Sequence, residues 1–168
     1  SLGAVTWWED HDLYLDCSDA DGTEIPEMYT RRMRSSIILL GPVLSRNKKC
    51  RIGYPGGCII GKRPIDLHLM ALRTLGADIS EQTFYLDAEC SRFQGKDIYF
   101  TKSSVGATQQ AILAAVMAQG VTKLHNCAKE PEVFWLCRYL RSMGALIKGE
   151  ETKEIMITGI RELGPGNY

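Results

Sequence analysis

Leu75-Gly76-Ala77-Asp78-Ile79 reads as a helix ending at a glycine, the usual residue past a helix C-terminus, and passing directly into a strand. The same form recurs at Met143-Gly144-Ala145-Leu146-Ile147 and, at the very start of the chain, at Leu2-Gly3-Ala4-Val5. A form that returns about every 70 residues is too widely spaced for a stacked solenoid, so it predicts a globular domain with internal pseudo-symmetry.

Working outward from these three sites, a hairpin is expected after each. Val5–Trp8 with Leu13–Leu15 flank an acidic turn, and Leu146–Lys148 with Ile155–Ile157 flank a charged one. Between them, Thr83–Leu86 and Ile98–Phe100 are paired across a longer connection containing Gly95. β-Branched and aromatic residues concentrate in these arms, as strands prefer. Apolar segments rich in small residues, Arg34–Leu44 and Val105–Gln119, suit buried helices; short strands follow at Lys49–Gly53 and Thr122–Asn126. An amphipathic helix closes each unit, with Ile65, Leu69, Leu72 and Leu75 on one face of the first. Val133, Leu136, Cys137, Leu140 and Met143 do the same in the second, and Pro64 and Pro131 mark the two helix starts. The fold class is therefore α+β, with two complete units of helix, strand, helix and hairpin and the tail of a third. A unit lacking its first half implies a trimmed or partial chain.

The 168 residues carry no formal net charge and are 45% hydrophobic, a composition of an ordinary globular core rather than of a nucleic-acid or acidic-membrane binder. No apolar run reaches membrane-spanning length, and Ser1 opens the chain with neither a basic nor an apolar leader segment, so no membrane span and no secretory signal are expected. Cys17, Cys50, Cys58, Cys90, Cys127 and Cys137 are scattered without a C-x-x-C pair, a pattern of reduced thiols in a cytosolic protein. His11, His68 and His125 stand at no metal-ligand spacing to them, so neither zinc nor another cofactor is expected.

The stretch with the most chemistry in it is Tyr54-Pro-Gly-Gly-Cys-Ile-Ile-Gly-Lys-Arg-Pro-Ile-Asp-Leu-His68. Gly56, Gly57 and Gly61 mark a loop, and Lys62, Arg63 and the helix start at Pro64 would stabilise a thiolate at Cys58. The alternative is a surface loop that carries a cysteine. Lys102-Ser-Ser-Val-Gly-Ala-Thr108 leads from a strand into a helix, and its free amides beside a lysine could hold a phosphate or simply cap the helix. Arg34 opens an apolar helix where the dipole does not favour it, so it either faces an anion or ends a solvated basic turn. Asp66 is a ligand acceptor or a helix-start charge, and Glu130 and Glu132 read as helix-start charges. His68 reads as a core residue or a support for the loop, and Trp7, Trp8 and Trp135 as packing residues.

Met33-Arg-Ser-Ser-Ile37 with Leu40-Gly-Pro-Val-Leu44, the Pro55–His68 loop, Ser104-Val-Gly-Ala-Thr108 and Lys129-Glu-Pro-Glu132 together resemble the UDP-N-acetylglucosamine enolpyruvyl transferases (1-carboxyvinyltransferases), in order and spacing across nearly the whole chain. The cysteine loop is the specific part, since the sister family making enolpyruvylshikimate phosphate lacks it. The resemblance implies an inside-out αβ barrel of two lobes, each of three βαβαββ units. This chain would be one lobe, with residues 1–29 a partial first unit, 30–100 the second and 101–168 the third, and with the second lobe of the enzyme as its partner.

The implied reaction moves the enolpyruvyl group of phosphoenolpyruvate to the 3′-hydroxyl of UDP-N-acetylglucosamine in the cytoplasm and releases phosphate, the first committed step of peptidoglycan synthesis. Under that resemblance Cys58 is the general acid and the thiol that fosfomycin alkylates, and it also serves product release. Arg63 and Arg34 face phosphoenolpyruvate and the diphosphate. Pro64, Ile65, Asp66 and Leu67 frame the uracil, and Lys102, Ser104, Val105 and Gly106 hold the diphosphate and uridine side. The sequence departs from the family at Lys62, where a small residue is usual, and it has no counterpart to the family's N-terminal lysine–asparagine pair. Two other readings stand beside the enzyme: a non-catalytic nucleotide-sugar-binding module of the same fold, and a structural protein in which Cys58 senses oxidants.

Overall fold

A computed structural model describes residues 2–56 and 64–166. After an N-terminal hairpin of β1 (Val5–Glu9) and β2 (Asp12–Asp16), two units follow with the same plan. In the first, β3 (Glu24–Ile25) lies parallel to β4 (Lys49–Gly53), which pairs antiparallel with β6 (Tyr85–Glu89), and β6 with β5 (Asp78–Glu81). In the second, β7 (Asp97–Tyr99), β8 (Val121–His125), β10 (Glu154–Thr158) and β9 (Leu146–Lys148) repeat that order and those directions. Two four-stranded sheets of identical topology are the repeat expected from the glycine sites.

The glycines behave alike. Gly3, Gly76 and Gly144 have φ of +94°, +103° and +97°, angles that a side chain resists. Beyond α3 (Asp66–Thr74), the Ala77 amide donates back to Leu72 O at 3.0 Å; beyond α5 (Pro131–Ser142), Ala145 donates to Leu140 O at the same distance. Both are Schellman closures that satisfy the last carbonyls of the helix.

Several expectations are corrected. The middle hairpin pairs Asp78–Glu81 with Tyr85–Glu89 across a tight turn; Ile98 belongs instead to β7, in the next sheet. The Schellman turn feeds the chain straight into a strand at Asp78, so the pairing partner is nearer in sequence than the periodicity indicated. Arg34–Leu44 is not one helix: a 3-10 segment (Arg34–Leu39) leads into α2 (Leu40–Asn47). The break has a cause. Pro42 has no amide to offer Ile38 O, and the Gln110 side-chain amide takes over, donating to Ile37 O (2.9 Å) and Ile38 O (3.2 Å) while accepting from the Gly41 amide (2.8 Å). Pro131 is the first residue of α5, whereas Pro64 precedes α3 by two residues. The helix from Val105 stops at Ala115, because the Gln119 amide is drawn to Phe93 O (2.8 Å) beside the bridge of Gln119 to Gln94.

At the centre lies α4 (Val105–Ala115), against α2, α3, α5 and β8. Ile65, Leu69, Leu72 and Leu75 are buried as expected, and so are Val133, Cys137 and Leu140; Leu136 and Met143 are half-buried. The three tryptophans are not packed inside. Trp7 and Trp8 sit on an exposed hairpin, where Trp7 stacks on Tyr14 with ring centroids 5.3 Å apart. Trp135 is 49% exposed, edge-on to Phe134, although Leu67 in the corresponding place on α3 is only 6% exposed. The reason is the repeat itself: α4 of the following unit lies on α3, and among the described residues no helix follows to lie on α5 in that way.

This asymmetry is measurable in the 168-residue chain. Leu72→Ala empties a fully buried site and is expected to cost about 2–5 kcal/mol in urea unfolding. Trp135→Ser, at an exposed position, is expected to change stability by about 0.5 kcal/mol or less.

Candidate active site cleft

Three segments converge on a cleft of about 520 Å³: the 3-10 segment at Arg34–Ile38, the start of α3 at Pro64–His68, and the turn from Lys102 into α4. Each wall is held by the local structure just described. Thr30 Oγ1 donates to Glu27 O (3.2 Å), and the Gly56 amide donates to Thr30 O (3.3 Å), so the chain leading into the cysteine segment is anchored on α1 (Glu27–Thr30). No side chain would fit at Gly56, whose Cβ would stand 2.7 Å from Arg31 O. On the far side of that segment, Arg34 Nη2 donates to Pro64 O at 3.1 Å. Residues 30–34 thus grip both ends of the cysteine segment. Cys58 and Arg63 themselves, with Lys62, lie outside the described residues.

The structure brings Arg34, Pro64, Asp66, Leu67, Lys102, Ser104, Val105 and Gly106 to this cleft. Ile65 is the exception among the described candidates: its side chain is 4% exposed and borders a neighbouring groove with Tyr54, Leu69 and Glu81.

The chemistry of the cleft is that of an anion site. Arg34 and Lys102 reach the cleft from different segments, and the N-terminus of α4, with no acidic residue in its first turn, opens into it. The first amides of a helix have no intrahelical acceptor and carry partial positive charge. Ser104 caps one of them, accepting from the Ala107 amide at 3.4 Å, so the cap reading of the sequence holds alongside the anion reading. Asp66, exposed on the rim, is the cleft's acceptor, and it opens the first turn of α3 where a carboxylate is favoured. Among the described residues no group of three His, Cys, Asp or Glu could hold a metal ion.

His68 and Gln110 were not among the residues singled out by sequence for ligand contact, and they are central to the geometry. His68 is 8% exposed and lines the cleft, and Gln110 is fully buried on α4 one turn beyond Gly106. The signal was present as a histidine one turn into α3 and a glutamine one turn beyond Gly106, but nothing local ties the two together. Burial, aided by the Arg34 charge, pushes the imidazole down to about 4, against the weaker upward pull of the Gln110 hydrogen bond and of Asp66. The ring is therefore neutral throughout the physiological range. Burial likewise pushes the thiols of Cys50, Cys127 and Cys137 up to about 12, which makes them packing residues rather than nucleophiles.

The depressed value of His68 has a signed consequence. As pH falls from about 6.5 to 4 the unfolded chain takes up a proton that the folded chain refuses, so stability is lost across that window and is fully present above it. Urea unfolding at pH 7 and pH 4.5 is expected to show a loss smaller by about 2–3 kcal/mol in His68→Gln than in the unsubstituted chain.

A model of the EPSP synthase (3-phosphoshikimate 1-carboxyvinyltransferase) family matches residues 1–168. Over 167 residues the chain is 44% identical to UDP-N-acetylglucosamine 1-carboxyvinyltransferase 2 of Caldanaerobacter subterraneus, covering 99% of this chain and 40% of that protein. Over 162 residues it is 43% identical to the UDP-N-acetylglucosamine 1-carboxyvinyltransferase of Helicobacter pylori, covering 95% and 38%. The chain therefore spans about 40% of the length of these relatives. The enolpyruvyl transferase NikO of Streptomyces tendae superposes with a TM-score of 0.78 at 22% identity, over 95% of this chain and 38% of that one. EPSP synthase from Acinetobacter baumannii does so with a TM-score of 0.71 at 20% identity, over 97% and 38%. No described helix is long and apolar enough to cross a membrane. With the α+β fold, its repeated sheets and the match along its full length, the chain belongs to the EPSP synthase family.

Proposed function

We propose that this chain is one lobe of a cytoplasmic UDP-N-acetylglucosamine 1-carboxyvinyltransferase. The observation that carries the reading is the cleft. One cavity gathers Arg34, Lys102, the open N-terminus of α4 and the Asp66 carboxylate, as a nucleotide diphosphate requires, in a chain 41–44% identical to relatives bearing that name.

The diphosphate would lie between Arg34, Lys102 and the amides at Val105 and Gly106, where charge and helix dipole act together. Asp66 would accept from the N–H edge of the base, with Pro64 and Leu67 against its face. In the transfer, C3 of phosphoenolpyruvate gains a proton as the sugar 3′-oxygen adds to C2 and its hydroxyl proton passes to a base on the second lobe. Loss of phosphate from C2 and of a proton from C3 then restores the double bond on the new ether. Cys58, beside Lys62 and Arg63 in sequence, would supply the proton, and Arg63 and Arg34 would balance the charge of the substrate carboxylate and phosphate. The chemistry needs no metal or organic cofactor. The second lobe would close over the cleft and complete the set of cationic groups.

A second reading follows from the span of the chain, about 40% of its relatives' length: a binding module that holds a nucleotide sugar without turning it over. Intact mass of the native product in its source cells separates the two. The transferase predicts a mass a little over twice 18.8 kDa, and the binding module a mass equal to it. Phosphate release is the direct test. The full-length protein is expected to release phosphate only when both substrates are present, and Cys58→Ala to lower that rate by about 10²–10⁴-fold. The 168-residue chain alone is expected to release none above the blank. Full-length protein that releases no phosphate, or a Cys58→Ala variant of unchanged rate, would overturn the transferase reading.

A further inference from the structure

The cleft has a hidden hinge-pin. His68 sits on α3 with the Cε1–Nε2 edge of its ring against Gly106, where a Cβ would stand 3.0 Å from Cε1 and 3.2 Å from Nε2. A side chain at 106 would therefore make the imidazole give way by a few tenths of an ångström. One turn further along α4 stands Gln110, fully buried. Gln110 in turn is committed on every side: its nitrogen donates to Ile37 O and Ile38 O, and its oxygen accepts from the Gly41 amide. His68 thus meets α4 from α3, and Gln110 ties α4 to the segment that begins at Arg34, so two buried side chains between them join all three walls of the cleft. The ring nitrogen Nδ1 is buried with no protein partner, so a hydrogen bond from that atom is not what fixes the ring.

Resting on the nucleotide-diphosphate reading above, we propose that His68 is a positioning residue. Seated against Gly106 where α3 meets α4, it sets the distance from the α4 amides to Arg34 and hence the grip on the diphosphate. An imidazole fits this task because it is rigid and fills the gap left by the missing side chain at Gly106. Its neutrality matters as well. Arg34 and Asp66 are the charged groups that act on it, and a protonated ring would set a second cation against Arg34 inside the cleft.

The test uses the full-length protein, with KM and kcat for UDP-N-acetylglucosamine and the Kd of UDP by calorimetry. His68→Ala is expected to raise KM for the nucleotide sugar and Kd for UDP about 10-fold, and to raise KM several times more than it lowers kcat. A general loss of folding would instead lower kcat in step with the fraction of folded protein. Gly106→Ala displaces the ring from the other side and is expected to show the same bias; it carries the test if His68→Ala does not fold. Because both act through one contact, the double variant is expected to be no worse than the poorer single one. Unchanged UDP affinity in both single variants, or effects that multiply fully in the double, would overturn the role of His68 while leaving the function reading intact. A parent protein that binds no UDP would overturn both.

Discussion

The burial of α4, which beyond its cleft end is half-buried only at Gln109 and Leu113, is the constraint from which the rest of the structure follows. Ala107, Ala111, Ile112, Ala114 and Ala115 are all sealed from solvent, and the small side chains let α2, α3 and α5 approach closely. A helix so placed can carry polar groups only if each is satisfied. Thr108 accepts from the Ala128 amide at 3.1 Å, and Gln110 repairs the ladder that Pro42 breaks. The core is thus held by close packing and by two buried side chains that knit separate segments together. Since the same helix opens into the cleft at Ser104, core packing and site geometry are one problem rather than two.

That arrangement explains how a chain without net charge builds a cationic site. Acidic and basic residues are equal in number, 20 of each, yet the cleft gathers Arg34, Lys102 and a helix N-terminus against the single carboxylate of Asp66. The surface pairs elsewhere, Arg51 with Asp87 and Arg73 with Glu81, neutralise one another in solvent and add little to stability. Placing one neutral imidazole at the back of the cleft keeps the local field positive without crowding a further cation against Arg34. The positive character of the cleft thus comes from the distribution of charge, not from its total.

The repeat also accounts for what is left uncovered. α3 is shielded by the helix of the unit after it, so Leu67 and Ala71 are buried; at the corresponding places on α5, Trp135 and Tyr139 are 49% and 44% exposed. On the N-terminal hairpin Trp8, Leu13 and Leu15 form a similar exposed apolar surface. In both places the aromatic and aliphatic side chains have the character of core residues. Their exposure follows from which elements lie next to them, and not from their chemistry.

Read alone, the residues determined the repeat, the helix-ending glycines at 3, 76 and 144, the buried faces of α3 and α5, and most of the residues that meet at the cleft. These are local properties: a left-handed glycine, a 3.6-residue period or a helix start is written in a few neighbouring positions. Tertiary structure alone decided the pairing of β5 with β6, the exposure of the tryptophans, the turning of Ile65 away from the cleft, the seating of His68 against Gly106, and the joining of Gln110 to the 3-10 segment. Each of these depends on segments separated by tens of residues, and the energy that selects among them, burial of one surface against another, exists only once those segments have met.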